Sequence, residues 1–214
     1  MTVAAVVVAG GRGVRFGGPK QFTFLGEETV AARSVRASRS VAPFVVLVVP
    51  ESYDGRGEGA DVVVVGGDTR AASVRAGLNA LPPCDVVVVH DAARPLASPE
   101  LFAATVAAVH AGADAAIPGL VVTDTVKRVV ARDGRDVVVG TVDRSDLVTV
   151  QTPQAFRRDV LERAHAQMSD ATDDAALVEA VGGTVVIVPG EIRNLKITEP
   201  TDLERISAAL EADA

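Results

Sequence analysis

Cysteine and aromatic residues are scarce in this chain of 214 residues. The single cysteine, Cys84, excludes an internal disulfide and a cluster of thiolate metal ligands, so we expect it to be a small core residue. Tryptophan is absent, and aromatic residues make up only 3% of the sequence. The core must therefore be aliphatic, built mainly from Val, Ala and Leu.

Long hydrophobic runs and an excess of positive charge are also missing. No apolar run reaches the roughly 18 residues that a membrane span needs. The first residues lack the basic region of a secretory signal peptide. A formal net charge of -7 argues against general binding to nucleic acid or to a membrane surface. We therefore expect a cytoplasmic protein.

Lysine occupies only three positions, against 18 arginines. A chain with this bias is expected to keep lysine where a compact ammonium group is needed instead of a planar guanidinium. Lys20 and Lys196 both lie in loops marked by glycine or proline, which favours a functional role for them. Chance explains Lys127 equally well.

Alternating strand and helix patterns predict the fold class. Apolar runs bounded by glycine and proline indicate strands buried on both faces of a parallel sheet. They cover residues 3–8, 43–49, 61–65, 86–89, 114–117 and 185–188. Helical spacing appears in residues 29–40, 71–81, 99–111, 156–167, 173–181 and 200–211. Ser98 as the cap and Pro99 in the first helical position predict where the third of these helices begins. Together they predict a single three-layer α/β/α domain over residues 1–214, with a mostly parallel sheet.

A different pattern interrupts this alternation at about residues 121–150. Strand-like segments flank Asp133-Gly134, a dipeptide typical of a tight hairpin turn. A hairpin of this length inserted in an α/β chain should project from the body, and its exposed edges need cover. The sequence thus predicts a protruding β-arm that a second copy of the chain covers.

The loop after the first strand is the first candidate site. Five glycines stand in the ten positions 10–19, which lets the backbone approach a ligand with free amide N–H groups. Its arginines and Lys20 favour a polyphosphate. The loop is no Walker loop, because Lys20 precedes Gln21, and no dinucleotide fingerprint, because Phe16 replaces the third glycine. Taken alone, it is equally compatible with an ordinary strand-to-helix turn.

Three motifs follow predicted strands at their carboxyl ends. They are residues 10–20, 66–70 and 90–95. Ligands of open parallel sheets bind at this edge, so the shared location is a stronger signal than any single motif.

Asp91 ends an apolar strand and suits one ligand of a Mg²⁺ ion that phosphates and water otherwise hold. Its alternatives are pairing with Arg94 or capping of the next helix. We interpret His90 as structural, because no His or Cys stands at metal-ligand spacing. No Ser-His-Asp arrangement is apparent either, which favours transfer between two bound phosphates, where positioning and charge neutralisation supply most of the rate.

Several motifs together resemble one family. They are Ala9-Gly10-Gly11-x-Gly13-x-Arg15, Pro19-Lys20-Gln21, Gly66-Gly67-Asp68-x-Arg70-x-x-Ser73, His90-Asp91-Ala92-Ala93-Arg94-Pro95, Asp124-Thr125, Thr141-Val142-Asp143-Arg144, Thr152-Pro153-Gln154, Thr172-Asp173 and Asn194-x-Lys196-x-Thr198. In this order they resemble the 2-C-methyl-D-erythritol 4-phosphate cytidylyltransferase family of isoprenoid precursor biosynthesis, over essentially the whole chain. One departure is Val8-Ala9-Gly10, where the family usually has Pro-Ala-Ala.

This resemblance implies a Rossmann-like nucleotidyltransferase fold and a reaction. CTP and methylerythritol phosphate would give 4-diphosphocytidyl-2-C-methyl-D-erythritol and pyrophosphate, with Mg²⁺ or another divalent cation as cofactor. The acceptor phosphate would attack the CTP α-phosphate directly, without a general base, because a phosphate monoester is already ionised at pH 7. A homodimer through the β-arm is implied as well.

Residue roles are also implied by the resemblance. The nucleotide would be bound by Ala9, Gly10, Gly11, Gly13, Gly67, Asp68, Arg70 and Ser73. Arg15 and Lys20 would neutralise charge at the α-phosphate, and Asp91 would place metal and substrate. The acceptor would be held by Asp91, Arg94, Thr125, Thr152, Thr172 and Lys196. Arg144, on the arm, would reach the neighbouring subunit's site and, with Lys196, aim the acceptor phosphate.

Two alternatives stay open. A ribitol-5-phosphate cytidylyltransferase would share the loop, the 90–95 motif and the fold, so only a comparison of substrates separates the two. A non-catalytic nucleotide-binding module is the other alternative. The presence of Arg15, Lys20 and Asp91 speaks against that module.

Overall fold

The computed structural model describes residues 1–11, 13, 15–53, 57–167 and 171–211. Its strands are β1 (Val3–Val8), β2 (Phe24–Leu25), β3 (Glu28–Thr29), β4 (Phe44–Val49), β5 (Val62–Val65), β6 (Val86–Asp91), β7 (Ala115–Val121), β8 (Val126–Arg132), β9 (Arg135–Val142), β10 (Val148–Val150), β11 (Gln154–Arg157) and β12 (Val185–Pro189). Its α-helices are α1 (Val30–Ser38), α2 (Arg70–Asn79), α3 (Pro99–His110), α4 (Arg158–Gln167), α5 (Asp174–Ala180) and α6 (Pro200–Glu211). Within these residues, no helix combines the length and the apolar character of a membrane span.

Eight of the strands form one sheet, and seven of them follow the order β10-β7-β11-β6-β1-β4-β5. The eighth strand, β12, also pairs with β7. β1 pairs in parallel with β4 and β6, β4 with β5, and β7 with β12. β10 and β11 run antiparallel to their neighbours. The predicted mostly parallel sheet is confirmed.

Helices cover both faces of this sheet because its central strands are apolar on both faces. Successive residues of a strand point to opposite sides, and β1 shows the division. Ala5 and Val7 belong to the core under α1 and α3, together with Phe102. Val6 belongs to the core under α2, α4 and α5. The aliphatic core and the three layers are confirmed, and Cys84 packs at the margin of the second core.

Side-chain caps fix where four helices begin. The hydroxyl oxygens of Thr29, Thr69 and Ser98 each accept a hydrogen bond from the backbone N–H three residues later, at the starts of α1, α2 and α3. The Asp173 carboxylate does the same for α5. Such caps satisfy N–H groups that a helix leaves unpaired at its first turn. The predicted start at Ser98, with Pro99 in the first helical position, is confirmed.

The segment after the β-arm differs from the prediction. Residues 156–167 are predicted as one helix, but Gln154–Arg157 forms strand β11, and α4 begins at Arg158. β11 lies between β6 and β7 and is antiparallel to both. Ala155 and Phe156 are fully buried there. A strand this short carries no periodic pattern of its own, and its partners lie far away in sequence.

Two other strands are longer than predicted. β6 continues to Asp91, which pairs with Val8 of β1, and β7 continues to Val121. The backbone of Asp91 is therefore part of the sheet, which fixes where its carboxylate leaves the strand.

The predicted hairpin is present as β8 and β9, which pair with each other around Asp133 and Gly134. Both turn residues have positive φ, 51° and 73°. Asparagine, aspartate and glycine are the residues that adopt such a turn most readily. The chain then returns to the main sheet through β10, so the hairpin itself occupies the middle of the predicted arm.

Gly77 of α2 provides a test of the packing between helix and sheet. A Cβ atom at this position would lie 2.4 Å from Cγ1 of Val6 and 3.0 Å from Cγ2 of Val48. Overpacking of this kind costs about 1–3 kcal/mol, which exceeds the ~1 kcal/mol that alanine gains over glycine in a helix. We expect Gly77→Ala to lower the free energy of unfolding by about 2 kcal/mol in urea denaturation.

The matched control is Ala103→Ser, which adds one heavy atom at an exposed position of α3. It should change the free energy of unfolding by less than about 0.5 kcal/mol. Wild-type or higher stability of Gly77→Ala would contradict the close contact of α2 with β1 and β4.

Candidate active site

A cleft of about 870 Å³ opens at the carboxyl ends of β1, β4, β5 and β6. Its lining consists of residues 8–11, 13, 20, 21, 49–52, 65–70, 73, 91, 93 and 196. The three motifs that follow separate strands in the sequence therefore contribute to one cleft. That convergence was predicted from the positions of the motifs and is confirmed.

The loop after β1 turns back on itself at Gly13. The backbone N–H groups of Phe16 and Gly17 donate to the carbonyl oxygen of Gly13, at 2.9 and 3.0 Å. Gly13 has a φ of 62°, and a Cβ atom there would lie 1.8 Å from the carbonyl oxygen of Gly18. Only glycine satisfies both conditions. Arg12 and Val14 lie outside the described residues.

Gln21 holds the start of this loop. Its side chain is buried, and Nε2 donates to the carbonyl oxygens of Ala9 and Gly11, at 2.6 and 2.9 Å. The two bonds fasten the chain on either side of Gly10. The sequence motif contains Gln21, but no role was predicted for it.

The first turn of α2 forms the opposite side of the cleft. Thr69 caps this helix, and Oγ of Ser73 donates to the carbonyl oxygen of Gly67 at 3.3 Å. Unpaired N–H groups give a helix N-terminus a partial positive charge, which attracts phosphate. Asp68 is exposed beside this turn. The predicted nucleotide-binding residues of this segment thus face the loop after β1 across the cleft.

Asp91 carries the negative charge at the floor of the cleft. Lys196 Nζ donates to Oδ2 at 2.6 Å, and Arg70 Nη2 donates to Oδ1 at 3.5 Å. Burial alone would raise the pKa of Asp91, but the positive charges of Lys196 and Arg70 hold it well below its usual range. Neither alternative from the sequence, pairing with Arg94 or helix capping, describes these contacts.

Positive charge accumulates around Lys20. Burial lowers the pKa of its ammonium group, and the nearby charges of Lys196 and Arg15 lower it further. The opposing carboxylates, Asp202 and Asp91, have weaker effects on this pKa. A site that lowers the pKa of a lysine through neighbouring cations gains stability when an anion binds.

His90 is a structural residue, as interpreted from the sequence. Burial lowers its pKa to about 4, so the ring is neutral. Its Nδ1 accepts from the hydroxyl of Thr152 at 3.1 Å, and its Nε2 donates to the carbonyl oxygen of Arg94 at 3.2 Å. The hydroxyl of Thr152 also accepts from the backbone N–H of Asp91 at 3.0 Å. Because this hydroxyl donates to His90 and accepts from Asp91, it helps to hold the backbone of Asp91 in place.

A buried network holds the loop that carries Lys196. Asn194 is fully buried, and its Nδ2 donates to the carbonyl oxygen of Thr152 at 2.8 Å. The backbone carbonyl oxygen of Asn194 accepts hydrogen bonds from Arg94 Nη1 at 2.7 Å and from Gln151 Nε2 at 3.3 Å. These contacts fix the backbone two residues before Lys196. Gln151 was not predicted as a site residue, and Asn194 appeared only as part of a motif.

The structure brings some of the predicted site residues into the cleft and leaves others outside its lining. Inside are Ala9, Gly10, Gly11, Gly13, Lys20, Gly67, Asp68, Arg70, Ser73, Asp91 and Lys196. Outside are Arg15, Arg94, Thr125, Arg144, Thr152 and Thr172. Arg94 and Thr152 lie beneath the cleft, where Arg94 bonds to the backbone of Asn194 and Thr152 bonds to the backbone of Asp91. Arg15, Thr125, Arg144 and Thr172 are exposed. The ligand contacts assigned to all of them stay predictions.

Asp91 is also the residue that could hold a divalent cation. Among the residues described, no group of three His, Cys, Asp or Glu side chains is arranged to bind a metal. Mg²⁺ often takes one or two protein carboxylates beside water and substrate phosphates. The Asp91 side chain, 14% exposed, fits a Mg²⁺ ion that enters with a nucleotide. It does not fit a closed site made of protein ligands alone.

Comparison with known families decides where the chain belongs. The family model described as IspD, 2-C-methyl-D-erythritol 4-phosphate cytidylyltransferase, matches residues 3–212. The chain belongs to the IspD family. The resemblance found in the motifs is thereby confirmed.

Relatives agree with this membership. The chain is 44% identical to the 2-C-methyl-D-erythritol 4-phosphate cytidylyltransferase of Streptomyces avermitilis, over 97% of this chain and 91% of that protein. It is 48% identical to a bifunctional IspD/IspF enzyme of an Anaeromyxobacter species, over 98% of this chain and 58% of that protein. The chain therefore spans little more than half the length of such bifunctional relatives.

Solved IspD structures share the fold. The crystal structure of the cytidylyltransferase from Thermus thermophilus matches with a TM-score of 0.83 and 35% identity. The match covers 99% of this chain and all of that one. The Rossmann-like nucleotidyltransferase fold predicted from the sequence is confirmed.

Gln21→Glu tests whether Gln21 holds the loop. The substitution keeps the shape but replaces the donor amide with an acceptor that faces two carbonyl oxygens. Unpaired buried polar groups cost about 1–3 kcal/mol, so local opening should become at least about fivefold more frequent. We expect the backbone amides of Phe16 and Gly17, which donate to Gly13 within this loop, to exchange with solvent faster by that factor, measured by hydrogen-exchange mass spectrometry.

The control is Gln167→Glu, the same change at the exposed end of α4. It should leave exchange in the loop unaltered. If the amides of Phe16 and Gly17 exchanged equally fast in Gln21→Glu and in the wild type, Gln21 would not be holding the loop.

Proposed function

We propose that this chain transfers the cytidylyl group of CTP to 2-C-methyl-D-erythritol 4-phosphate and releases pyrophosphate. The observation that carries this proposal is the group of cations around Lys20, in a cleft at the carboxyl edge of the sheet. Membership of the IspD family supports the choice of both substrates.

The extent of the proposal follows from the length of the chain. The chain covers 91% of the Streptomyces avermitilis cytidylyltransferase but only 58% of the bifunctional Anaeromyxobacter enzyme. The proposal therefore concerns the cytidylyltransferase reaction alone. A cytoplasmic location belongs to the same proposal and is supported by the net charge of -7.

The reaction is a single displacement at phosphorus. A phosphate oxygen of methylerythritol phosphate attacks the α-phosphorus of CTP and forms a new P–O bond. The bond from the α-phosphorus to the oxygen bridging to the β-phosphate breaks, and pyrophosphate leaves with that electron pair. The acceptor is ionised at pH 7, so no base has to remove a proton. This agrees with His90, both of whose ring nitrogens are engaged inside the protein.

Electrostatic repulsion is the main obstacle to this displacement, because a phosphate dianion must approach a polyanionic nucleotide. Lys20 and Arg15 would stabilise charge that develops on the α-phosphate and the leaving pyrophosphate. Amide groups of the loop after β1 would bind the remaining phosphate oxygens. Ala9, Gly67, Asp68 and Ser73 would contact the cytosine or the ribose.

A divalent cation completes the proposed charge balance. Asp91 would hold Mg²⁺, or another divalent cation, together with nucleotide phosphates and water. When bound, the ion would neutralise negative charge on the phosphates.

The acceptor would bind beside Asp91. Lys196 pairs with Asp91 in the structure and would exchange part of this contact for the acceptor phosphate. Thr125, Thr172 and Arg94 would provide further contacts. The hydroxyl of Thr152 already forms hydrogen bonds with His90 and with the backbone of Asp91. We therefore assign Thr152 the role of positioning Asp91, in preference to a contact with the substrate.

A homodimer through the β-arm is part of the proposal. In the described part of the chain, β8 and β9 pair only with each other. Val129 and Val138 are 49% and 57% exposed on this hairpin. A two-stranded ribbon is marginally stable alone, and exposed apolar residues favour cover by a second copy. Arg144 follows this hairpin and would act in the site of the other subunit.

The choice of acceptor can be tested by pyrophosphate release from CTP and Mg²⁺. We expect rapid release with methylerythritol phosphate and little with ribitol 5-phosphate. Release only with ribitol 5-phosphate would keep the mechanism and overturn the substrate. A folded protein that binds CTP but releases no pyrophosphate with either acceptor would be a non-catalytic nucleotide-binding module.

Mixed dimers test whether two subunits share a site. Lys20→Ala and Arg144→Ala should each lower turnover about a hundredfold or more, because each removes a cation from the transferring phosphates. A dimer of one Lys20→Ala chain and one Arg144→Ala chain has one intact site if Arg144 acts in the partner. Its turnover should recover to about half of the wild-type value.

The measurement uses differently tagged chains, purified as heterodimers, with both homodimeric variants as controls. If Arg144 acts within its own subunit, both sites of the mixed dimer are damaged. Turnover would then stay at the level of the single variants, and the shared site would be refuted.

A further inference from the structure

A line of alternating charges leads from the cleft into the interior. Lys196 pairs with Asp91 at 2.6 Å, and Asp91 pairs with Arg70 at 3.5 Å. Arg70 then pairs with Asp174 at 2.6 Å, through Nη1 and Oδ2. The second oxygen of Asp174 lies 3.0 Å from Nε2 of His165. Neither Asp174 nor His165 has a predicted role.

Arg70 is divided between two carboxylates, and Asp174 is the nearer one. Asp174 has a side chain only 1% exposed, whereas that of Arg70 is 26% exposed and borders the cleft. Burial lowers the pKa of Arg70, but the charges of Asp174 and Asp91 more than offset this and raise it. The buried contact with Asp174 therefore determines where the guanidinium lies.

His165 fixes the orientation of the Asp174 carboxylate. Its ring is buried on α4, and Nδ1 has no hydrogen-bond partner among the residues that the structure describes. The tautomer that carries its proton on Nε2 donates to Asp174 and leaves no N–H unsatisfied. Both carboxylate oxygens of Asp174 are thus occupied, one by His165 and one by Arg70.

We propose that Asp174 is a positioning residue that holds Arg70 at the edge of the cleft, away from a full ion pair with Asp91. The proposal rests on the proposed function, because Arg70 is there a nucleotide-binding residue. Without the charge of Asp174, the guanidinium would move towards Asp91, its remaining carboxylate. It would then compete with Lys196 and leave its place beside the nucleotide.

A purely structural ion pair is the competing explanation. Buried ion pairs contribute little net stability compared with apolar residues of similar size, so stability alone does not account for this arrangement. The pair also joins α2 to α5, 104 residues apart, at the side of α2 that borders the cleft. A purely structural role predicts an unchanged kcat/KM for CTP in folded Asp174→Asn, whereas a positioning role predicts a loss that depends on the presence of Arg70.

The experiment compares four forms of the 214-residue chain: wild type, Asp174→Asn, Arg70→Ala and the double variant. We expect kcat/KM for CTP to fall about tenfold in Asp174→Asn through misplacement of Arg70, and about a hundredfold in Arg70→Ala. If Asp174 acts through Arg70, the double variant should equal Arg70→Ala. A roughly thousandfold loss in the double variant, the product of the two single effects, would overturn the proposal.

Asp173→Asn is the matched control. It removes the same charge one residue earlier, and asparagine caps a helix as well as aspartate does. Its kcat/KM for CTP should stay within about threefold of the wild type, since its carboxylate makes no hydrogen bond to Arg70. Equal losses in Asp173→Asn and Asp174→Asn would reduce the effect to net charge and refute positioning.

Two further measurements separate folding and substrate choice from positioning. Urea denaturation should show the double variant to be more stable than Arg70→Ala, because the latter leaves Asp174 buried without its cation. CTP affinity, measured by calorimetry on the same four proteins, should show the same lack of additivity. That result does not depend on the acceptor, so it stands even if methylerythritol phosphate is the wrong substrate. Additive losses of CTP affinity would overturn the proposal.

Discussion

Like-charged side chains meet at the carboxyl edge of this sheet, and their repulsion has to be balanced. Lys20, Lys196 and Arg70 all border one cleft, and Asp91 contacts two of them. Burial, Lys196 and Arg15 lower the pKa of Lys20 more than Asp202 and Asp91 raise it. A polyanionic substrate would be bound by these cations. Substrate binding and catalysis would thus use the same positively charged side chains. The fold brings these side chains together by ending several parallel strands at the same edge of the sheet.

Buried amide side chains keep these charges in position. Gln21 fastens the loop after β1 through two carbonyl oxygens, and Asn194 with Gln151 fastens the backbone before Lys196. Asp174 holds Arg70 from the interior. Neutral amides serve this purpose well, because they satisfy several backbone groups without adding charge to the site. Because these groups are held in place beforehand, the site does not have to reorganise when charge develops during transfer of the nucleotidyl group.

The sequence predicts most of the fold because the relevant signals are local. Apolar runs and caps such as Ser98 indicate the strands and helices, and Asp133-Gly134 marks the hairpin turn. Strand β11 was missed because its pairing with β6 and β7 depends on residues far away in sequence. In the site, motifs at strand ends indicate the cleft. The roles of Gln21 and Asp174 follow from contacts across 10 to 104 residues, which no local pattern contains.

The central claim is that CTP binds between the loop after β1 and the first turn of α2, with its triphosphate against the loop. A crystal structure with α,β-methylene-CTP and Mg²⁺ tests it most directly, because this analogue cannot release pyrophosphate. We predict phosphate oxygens within hydrogen-bond distance of the amides of Gly10, Gly11 or Gly13 and of Lys20 Nζ. A nucleotide bound outside this cleft, or bound in it without contact to Lys20, would contradict the claim.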